Sequence, residues 1–273
     1  MKLGIFNRTF EMSLEQGFQA VAEYGLQSVQ FDFITAMSES MPEEVHDDVV
    51  TRVVDAVAKA GVEIGAVSGT FNMIDPDLEA RERGFRGLQA LGGVCPRLGT
   101  QLITLCTGTR NPDYLWRHHP DNDTPEAWAE MLVSMERATS IAEETDTILV
   151  FETEVNNVVD SAEKARCLMD EIQSPRLQVV MDGANLFHTG QLSRMHEVLD
   201  HAFELLGSDI RLAHAKDLEK DGDAGHQAAG TGVLDYAHYL SLLRKVEFEG
   251  SLILHSLSAD QVTDSVAYVR DRM

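Results

Sequence analysis

The sequence predicts an α/β protein, a single (β/α)8 barrel running over residues 1–273. Three observations predict it. Eight short apolar runs recur along the chain. Amphipathic stretches with capping residues fill the gaps between them, without a break. A chain of 273 residues also matches one such barrel, which takes roughly 250.

The apolar runs are Lys2–Phe6, Ser28–Phe33, Glu63–Ser68, Gln101–Thr107, Thr147–Glu152, Leu177–Asp182, Ile210–Ala215 and Ser251–Ser256. Most are near-continuous rather than alternating, the pattern of parallel strands covered on both faces. Helix signals follow each other between them. Ser13 with Gln16 forms a capping box ahead of Phe18, Val21 and Ala22. Pro42 suits a first helical turn, Val49, Val50, Val53, Val54 and Val57 keep helical spacing, and Gly61 suits the C-terminal cap. Thr124-Pro125 opens a helix carrying Trp128, Met131, Leu132 and Met135. Asp160 with Glu163 reads as another capping box, before Ala165, Leu168, Met169 and Ile172. Further helices are expected near Leu192–Leu206, Asp235–Val246 and Asp260–Arg272. An open nucleotide-binding sheet is the alternative. It calls for a glycine-rich turn after the first strand, and Phe6-Asn7-Arg8-Thr9-Phe10 has no glycine.

Composition narrows the function. Hydrophobic residues make up 44% and charged residues 25%, which excludes a disordered chain, a coiled coil or a collagen-like fibre. No apolar run reaches the roughly 20 residues of a membrane span, and the start is too short for a signal sequence. Twenty-two basic and 45 acidic residues give a net charge of −23. That field repels phosphate backbones and anionic lipid, so neither nucleic acid nor a membrane is the expected partner. Cys95, Cys106 and Cys167 stand far apart with no CxxC pair. They read as buried small hydrophobes of a cytoplasmic protein.

In a barrel, chemistry gathers at the C-terminal ends of the strands. The fifth run ends in Glu152-Thr153-Glu154, the sixth in Asp182-Gly183-Ala184-Asn185, the seventh in His214-Ala215-Lys216-Asp217 and the eighth in His255-Ser256. Four consecutive strands therefore end on Glu152, Asp182, His214 and His255. Strands about 4.8 Å apart can bring such ends to one point. A mixed carboxylate and imidazole set suits one divalent ion: Mn, Mg, Co or Zn. Each residue also has a structural reading: a helix cap or lysine partner for Glu152, an N-cap or turn for Asp182, and a core histidine for His214 or His255.

These residues resemble the xylose isomerase-like barrel superfamily, in particular its sugar phosphate isomerase/epimerase branch. The matching pieces are Glu152, the DxxN segment Asp182–Asn185, the HxKD segment His214–Asp217 and Gly230-Thr231-Gly232-Val233-Leu234-Asp235. Their order and spacing agree over essentially the whole chain. The resemblance implies a divalent metal on Glu152, Asp182 and His214. It implies a glutamate as fourth ligand where this chain has His255. Because that glutamate is also one of the family's two proton-transfer groups, His255 is expected to ligate metal or to act as acid/base. Glu154 is the candidate replacement carboxylate. A related apurinic endonuclease holds three zincs, and His226 lies where that family places a zinc histidine. Asn185 stands in place of its DxxH histidine, and Cys106-Thr107-Gly108-Thr109 carries no histidine, so three metals lack ligands.

Lys216, Asn185, Arg110, Trp116 and His226 are the expected substrate-side residues, with His118, His119, Arg8 and Asn72 behind them. The resemblance implies isomerisation or epimerisation of a small sugar- or polyol-derived carbonyl compound through an enediol-like intermediate, and because the sequence shows no phosphate-binding glycine turn the expected substrate is unphosphorylated. Catalysis then falls to Glu152, Glu154 and His255. A lyase of the inositol-ketone dehydratase type is the same-site alternative, and a non-catalytic sugar-binding barrel is the alternative from another class. A homodimer or homotetramer is the expected assembly.

Overall fold

The apolar runs become strands because each is buried on two sides, against the barrel interior and against a helix. The computed structural model describes residues 1–273. Its strands are β1 (Lys2–Phe6), β2 (Ser28–Phe31), β3 (Glu63–Ser68), β4 (Leu102–Cys106), β5 (Ile148–Glu152), β6 (Leu177–Asp182), β7 (Ile210–Asp217), β8 (Gln227–Ala228) and β9 (Ser251–Leu254). Eight of them are parallel and close on themselves, in the order β1 to β6, then β7, then β9, which returns to β1. The fold is thus a closed (β/α)8 TIM barrel. The two-residue β8 is an addition, paired antiparallel to the end of β7.

Two apolar layers hold the barrel. Ala66, Val150, Val180, Leu212 and Ile253 fill its interior, with Phe6, Leu102 and Ile148 against them. A far larger cluster lies between the strands and the helices. At the N-terminal end the interior is polar: Ser251 Oγ donates to Ser28 Oγ over 2.7 Å. Gly65 leaves the room for that pair, since a Cβ there would lie 2.4 Å from Ser28 Oγ.

The helices are α1 (Leu14–Glu23), α2 (Asp47–Ala60), α3 (Leu78–Val94), α4 (Pro125–Glu144), α5 (Ala162–Ile172), α6 (Met195–Leu206), α7 (Tyr236–Lys245) and α8 (Val262–Arg270). The Ser13–Gln16 capping box, the Thr124 cap and the left-handed Gly61 cap form as expected. Several expectations need correction. Pro42 lies ahead of α2, whose N-cap is His46. The cap of α5 is Ser161, whose side chain accepts from Lys164 N, not Asp160. Cys95 and Cys106 are buried, but Cys167 is exposed. The 17-residue helix α3 was not among the expected helices. Its glycines lower helix propensity, yet Gly84, Gly87 and Gly92 are buried on its inner face. No helix is long and apolar enough to cross a membrane.

Candidate functional site

Register brings the strand-end residues together. Asp182 on β6 lies directly beside His214 on β7. Glu152 lies beside Val180, one pleat below Asp182. On β7, alternation turns His214 and Lys216 inward, while Ala213 and Ala215 join the outer core. Asp217 then ties the following loop: its carboxylate accepts from Leu218 N, Leu234 N and Gly230 N. The Gly230–Asp235 segment is therefore a structural turn built on Asp217. Gly232 is required there, because a Cβ would lie 2.3 Å from Leu218 O.

These ends surround a cavity of about 400 Å³. Glu152, Asp182 and His214 each offer one ligand atom, all within 4.8 Å of one another. No other group of three such side chains comes together. His214 Nδ1 lies 3.2 Å from Glu152 Oε1 and 3.4 Å from Asp182 Oδ2. Its other nitrogen, Nε2, lies 2.9 Å from Gln30 Oε1. An amide oxygen only accepts, so Nε2 carries a hydrogen and Nδ1 faces the two carboxylates. Asn185 Nδ2 donates to Glu152 Oε1 over 2.7 Å. Asp182 Oδ1 accepts from Ala184 N. Asp182 Oδ2 is buried with no hydrogen bond of good geometry, although Lys216 Nζ stands 3.0 Å away. An unbonded, buried carboxylate oxygen beside a second carboxylate and an imidazole is a donor set a divalent cation fits.

The electrostatics follow from this crowding. Burial opposes the charge on Asp182, but the Lys216 ammonium and His214 outweigh it and hold the carboxyl well below its usual range. Burial likewise opposes a charged His214, but Glu152 and Asp182 push its pKa up to about 9. Lys216 is held above the ordinary lysine value by Asp182 and Glu152, against its burial. Glu154 goes the other way. It is buried, and burial pushes its carboxyl up to about 8, with Asn156 N opposing. Its two oxygens accept from Asn156 N and Asn157 Nδ2 over 3.0 and 2.9 Å.

His255 does not join the three-donor group. Its ring stacks between Phe6 and His214, with centroids 4.9 and 4.8 Å apart. Burial, with the charges on His214 and Lys216, holds His255 well below the ordinary imidazole value, so it is neutral. Its Nδ1 meets Ser256 Oγ at 3.1 Å, and Ser256 sits in the left-handed region at φ 56°.

Lys216, Asn185, Trp116, His226 and Arg8 line the cavity. Arg110 does not. Its guanidinium is held by both oxygens of Glu130, at 3.0 and 2.6 Å, so its expected place on the substrate is corrected to a loop clamp. His118 and His119 lie outside the lining, beside Asp123 and Asp121, and Asn72 is bonded to the Thr109 backbone. Sequence reasoning passed over Gln30, Asp32, Ser68 and Thr104, which also line the cavity. The signal was a polar side chain inside an otherwise apolar strand, as in Ser28-Val29-Gln30-Phe31.

With that geometry in place, sequence comparison decides the family. The xylose isomerase-like TIM barrel family matches residues 18–272. The chain belongs to it. No curated protein sequence matches the chain. Solved structures with the same fold include the 3-keto-D-glucoside 4-epimerase YcjR from E. coli, at 16% identity and TM-score 0.73, covering 99% of each chain. The probable 3-DHS dehydratase AsbF from Bacillus anthracis is 15% identical with TM-score 0.75, covering 99% of this chain and 98% of that one. The IOLI protein with a bound zinc atom is 14% identical with TM-score 0.73, covering 100% and 96%. At these identities the likeness establishes the fold.

Proposed function

We propose that the protein is a divalent-metal-dependent isomerase or epimerase of a small sugar- or polyol-derived carbonyl compound, acting through an enediol-like intermediate. The observation that carries this reading is the Glu152–Asp182–His214 group, with the unbonded Asp182 Oδ2 turned into it, on a cavity that also holds a raised-pKa carboxyl and a neutral imidazole. The named activities of the fold relatives, an epimerase and a dehydratase, agree with it as analogy.

Glu152, Asp182 and His214 Nδ1 would hold the ion. Bound there, it supplies Lewis-acid polarisation of a carbonyl. The chain's own groups carry the protons. At neutral pH Glu154 holds a proton and His255 lacks one, because burial disfavours the charged form of each. Environments that set two groups in opposite protonation states are what an acid and a base need. His255 accepts the proton from the carbon beside the carbonyl, and Glu154 returns one. Asn185 holds Glu152 in place. Trp116 offers an apolar face to a sugar ring. Gln30 and Thr104 face its hydroxyls; Thr104 Oγ1 is buried without a partner of its own.

A second reading rests on the same protonated Glu154. A carboxylic acid beside the substrate also protonates a departing hydroxyl, which makes the protein a lyase. The test is incubation of Mn²⁺-loaded protein with D-allulose, D-tagatose and a 3-keto-glucoside in heavy water. Deuterium at the carbon beside the carbonyl, without loss of water, supports the isomerase. Loss of water supports the lyase. Full turnover by metal-stripped protein, or no exchange on any of the three by the loaded protein, overturns the proposal.

A further inference from the structure

The metal reading leaves one group unexplained. Lys216 is buried, and its Nζ lies 3.0 Å from Asp182 Oδ2 and 4.0 Å from Glu152 Oε1. It therefore stands against the same oxygen that a cation in this site requires. We propose that Lys216 is a resident cation that a divalent ion must displace from Asp182, so that the lysine sets the metal affinity of the site. This rests on the metal-dependent reading above.

The remaining contacts leave no second way to share the site. Asp182 Oδ1 is already taken by Ala184 N. Glu152 Oε1 receives both Asn185 Nδ2 and His214 Nδ1. Asp182 Oδ2 is thus the one oxygen of that carboxylate free to ligate, and it has a single cationic neighbour within 3.0 Å. An ammonium and a dication on one oxygen repel each other strongly in a poorly screened interior. One of them has to leave. The lysine backbone is fixed: Lys216 pairs with Ala228 on β8, and its carbonyl accepts from the Tyr236 hydroxyl. Only the side chain can swing, and the open direction is the cavity, where Glu154 and Asp32 are the remaining carboxyls. Metal entry thereby moves the ammonium into the space a substrate occupies. There its three donors meet a substrate oxygen. Loading the metal and arming the lysine become one event, which orders binding: metal first, substrate second.

The test is calorimetric titration of EDTA-stripped protein with Mn²⁺ and, separately, Zn²⁺. Wild type is compared with Lys216→Met, which keeps the stem and removes the charge, and with Asp182→Asn. Lys216→Met is expected to bind at least about tenfold more tightly than wild type, and Asp182→Asn to lose binding. Equal or weaker binding by Lys216→Met overturns the proposal, because the lysine would then support the metal rather than oppose it. No binding by wild type and Lys216→Met alike overturns the metal reading itself, and the two failures are told apart by that result. Removing Lys216 leaves two buried carboxylates without their cation, so the variant's fold is checked by its melting temperature. A larger Mn²⁺-induced rise in melting temperature for Lys216→Met than for wild type supports the proposal. An equal or smaller rise counts against it, and Lys216→Gln repeats the comparison if the Met variant does not fold.

Discussion

Glu154 gives the sharpest quantitative expectation. Its carboxyl has a pKa of about 8 in the folded protein against 4.5 for an ordinary glutamate. Between those values the folded chain binds one proton that the unfolded chain has lost. Stability therefore falls as pH rises across that window, with a slope of about 1.4 kcal/mol per pH unit. The contribution is fully present below the unfolded pKa and lost as pH climbs through the folded one. From pH 5 to pH 8 it amounts to about 4 kcal/mol. Glu154→Gln removes the titration. It also sets an amide NH₂ against Asn157 Nδ2, whose own amide is fixed because its oxygen accepts from Gly108 N. That lost bond costs the variant about 1–3 kcal/mol at low pH. The variant should be less stable than wild type at pH 5 and more stable at pH 8. The assay is urea denaturation of both EDTA-stripped proteins at half-unit pH intervals. His214, whose pKa is raised to about 9, adds a slope of the same sign, but it is present in both proteins and cancels in their difference. A stability difference that does not change between pH 5 and pH 8 would refute the reasoning.

The other expectations are simpler. Gln30→Leu takes the acceptor from His214 Nε2 and should weaken Mn²⁺ binding by about 10- to 100-fold; unchanged affinity on titration would show that the imidazole needs no orienting partner. Gly84→Ala would set a Cβ 2.1 Å from Phe71 Cδ2 and should lower stability by about 1–3 kcal/mol, read as a shift in the urea midpoint. Arg110→Ala breaks the clamp on Glu130. It should cost about 1 kcal/mol and leave Mn²⁺ affinity untouched, and a lower affinity would return Arg110 to the site.

The barrel was legible in the sequence because parallel strands buried on both faces leave uninterrupted apolar runs, and all eight reappear within a few residues of their expected ends. Glu152, Asp182 and His214 were legible for the same reason: a charge placed just after such a run stands out. Gln30 and Thr104 were not, since one polar residue inside a strand reads the same whether it faces a cavity or a neighbouring side chain. Helix α3 was hidden by Gly84, Gly87, Gly92 and Gly93, which argue against a helix locally while allowing close packing in three dimensions. Lys216 was expected on the substrate side of the pocket. Its pairing with Asp182 instead depends on Asp217 being used up by backbone donors, which no local pattern reveals. The orientation of His255 likewise depends on Phe6, from the other end of the chain.

His255 stands where the family resemblance implies a carboxylate, and that difference alters the charge the site can hold. Glu152 and Asp182 bring two negative charges and Lys216 one positive. A protonated His214 makes the chain's own group neutral, which agrees with its raised pKa of about 9. With a dication present and His214 neutral, the same residues sum to one positive charge. A glutamate at the end of β9 would have cancelled it, whereas a neutral His255 does not. In the proposed reaction that surplus lies next to the substrate oxygen on which negative charge develops, where a preorganised positive field is most effective. The group that returns the proton must then hold it without adding charge. A carboxyl protonated at neutral pH meets that condition, and Glu154, two residues beyond Glu152 on the same chain end, is the group whose burial keeps it protonated.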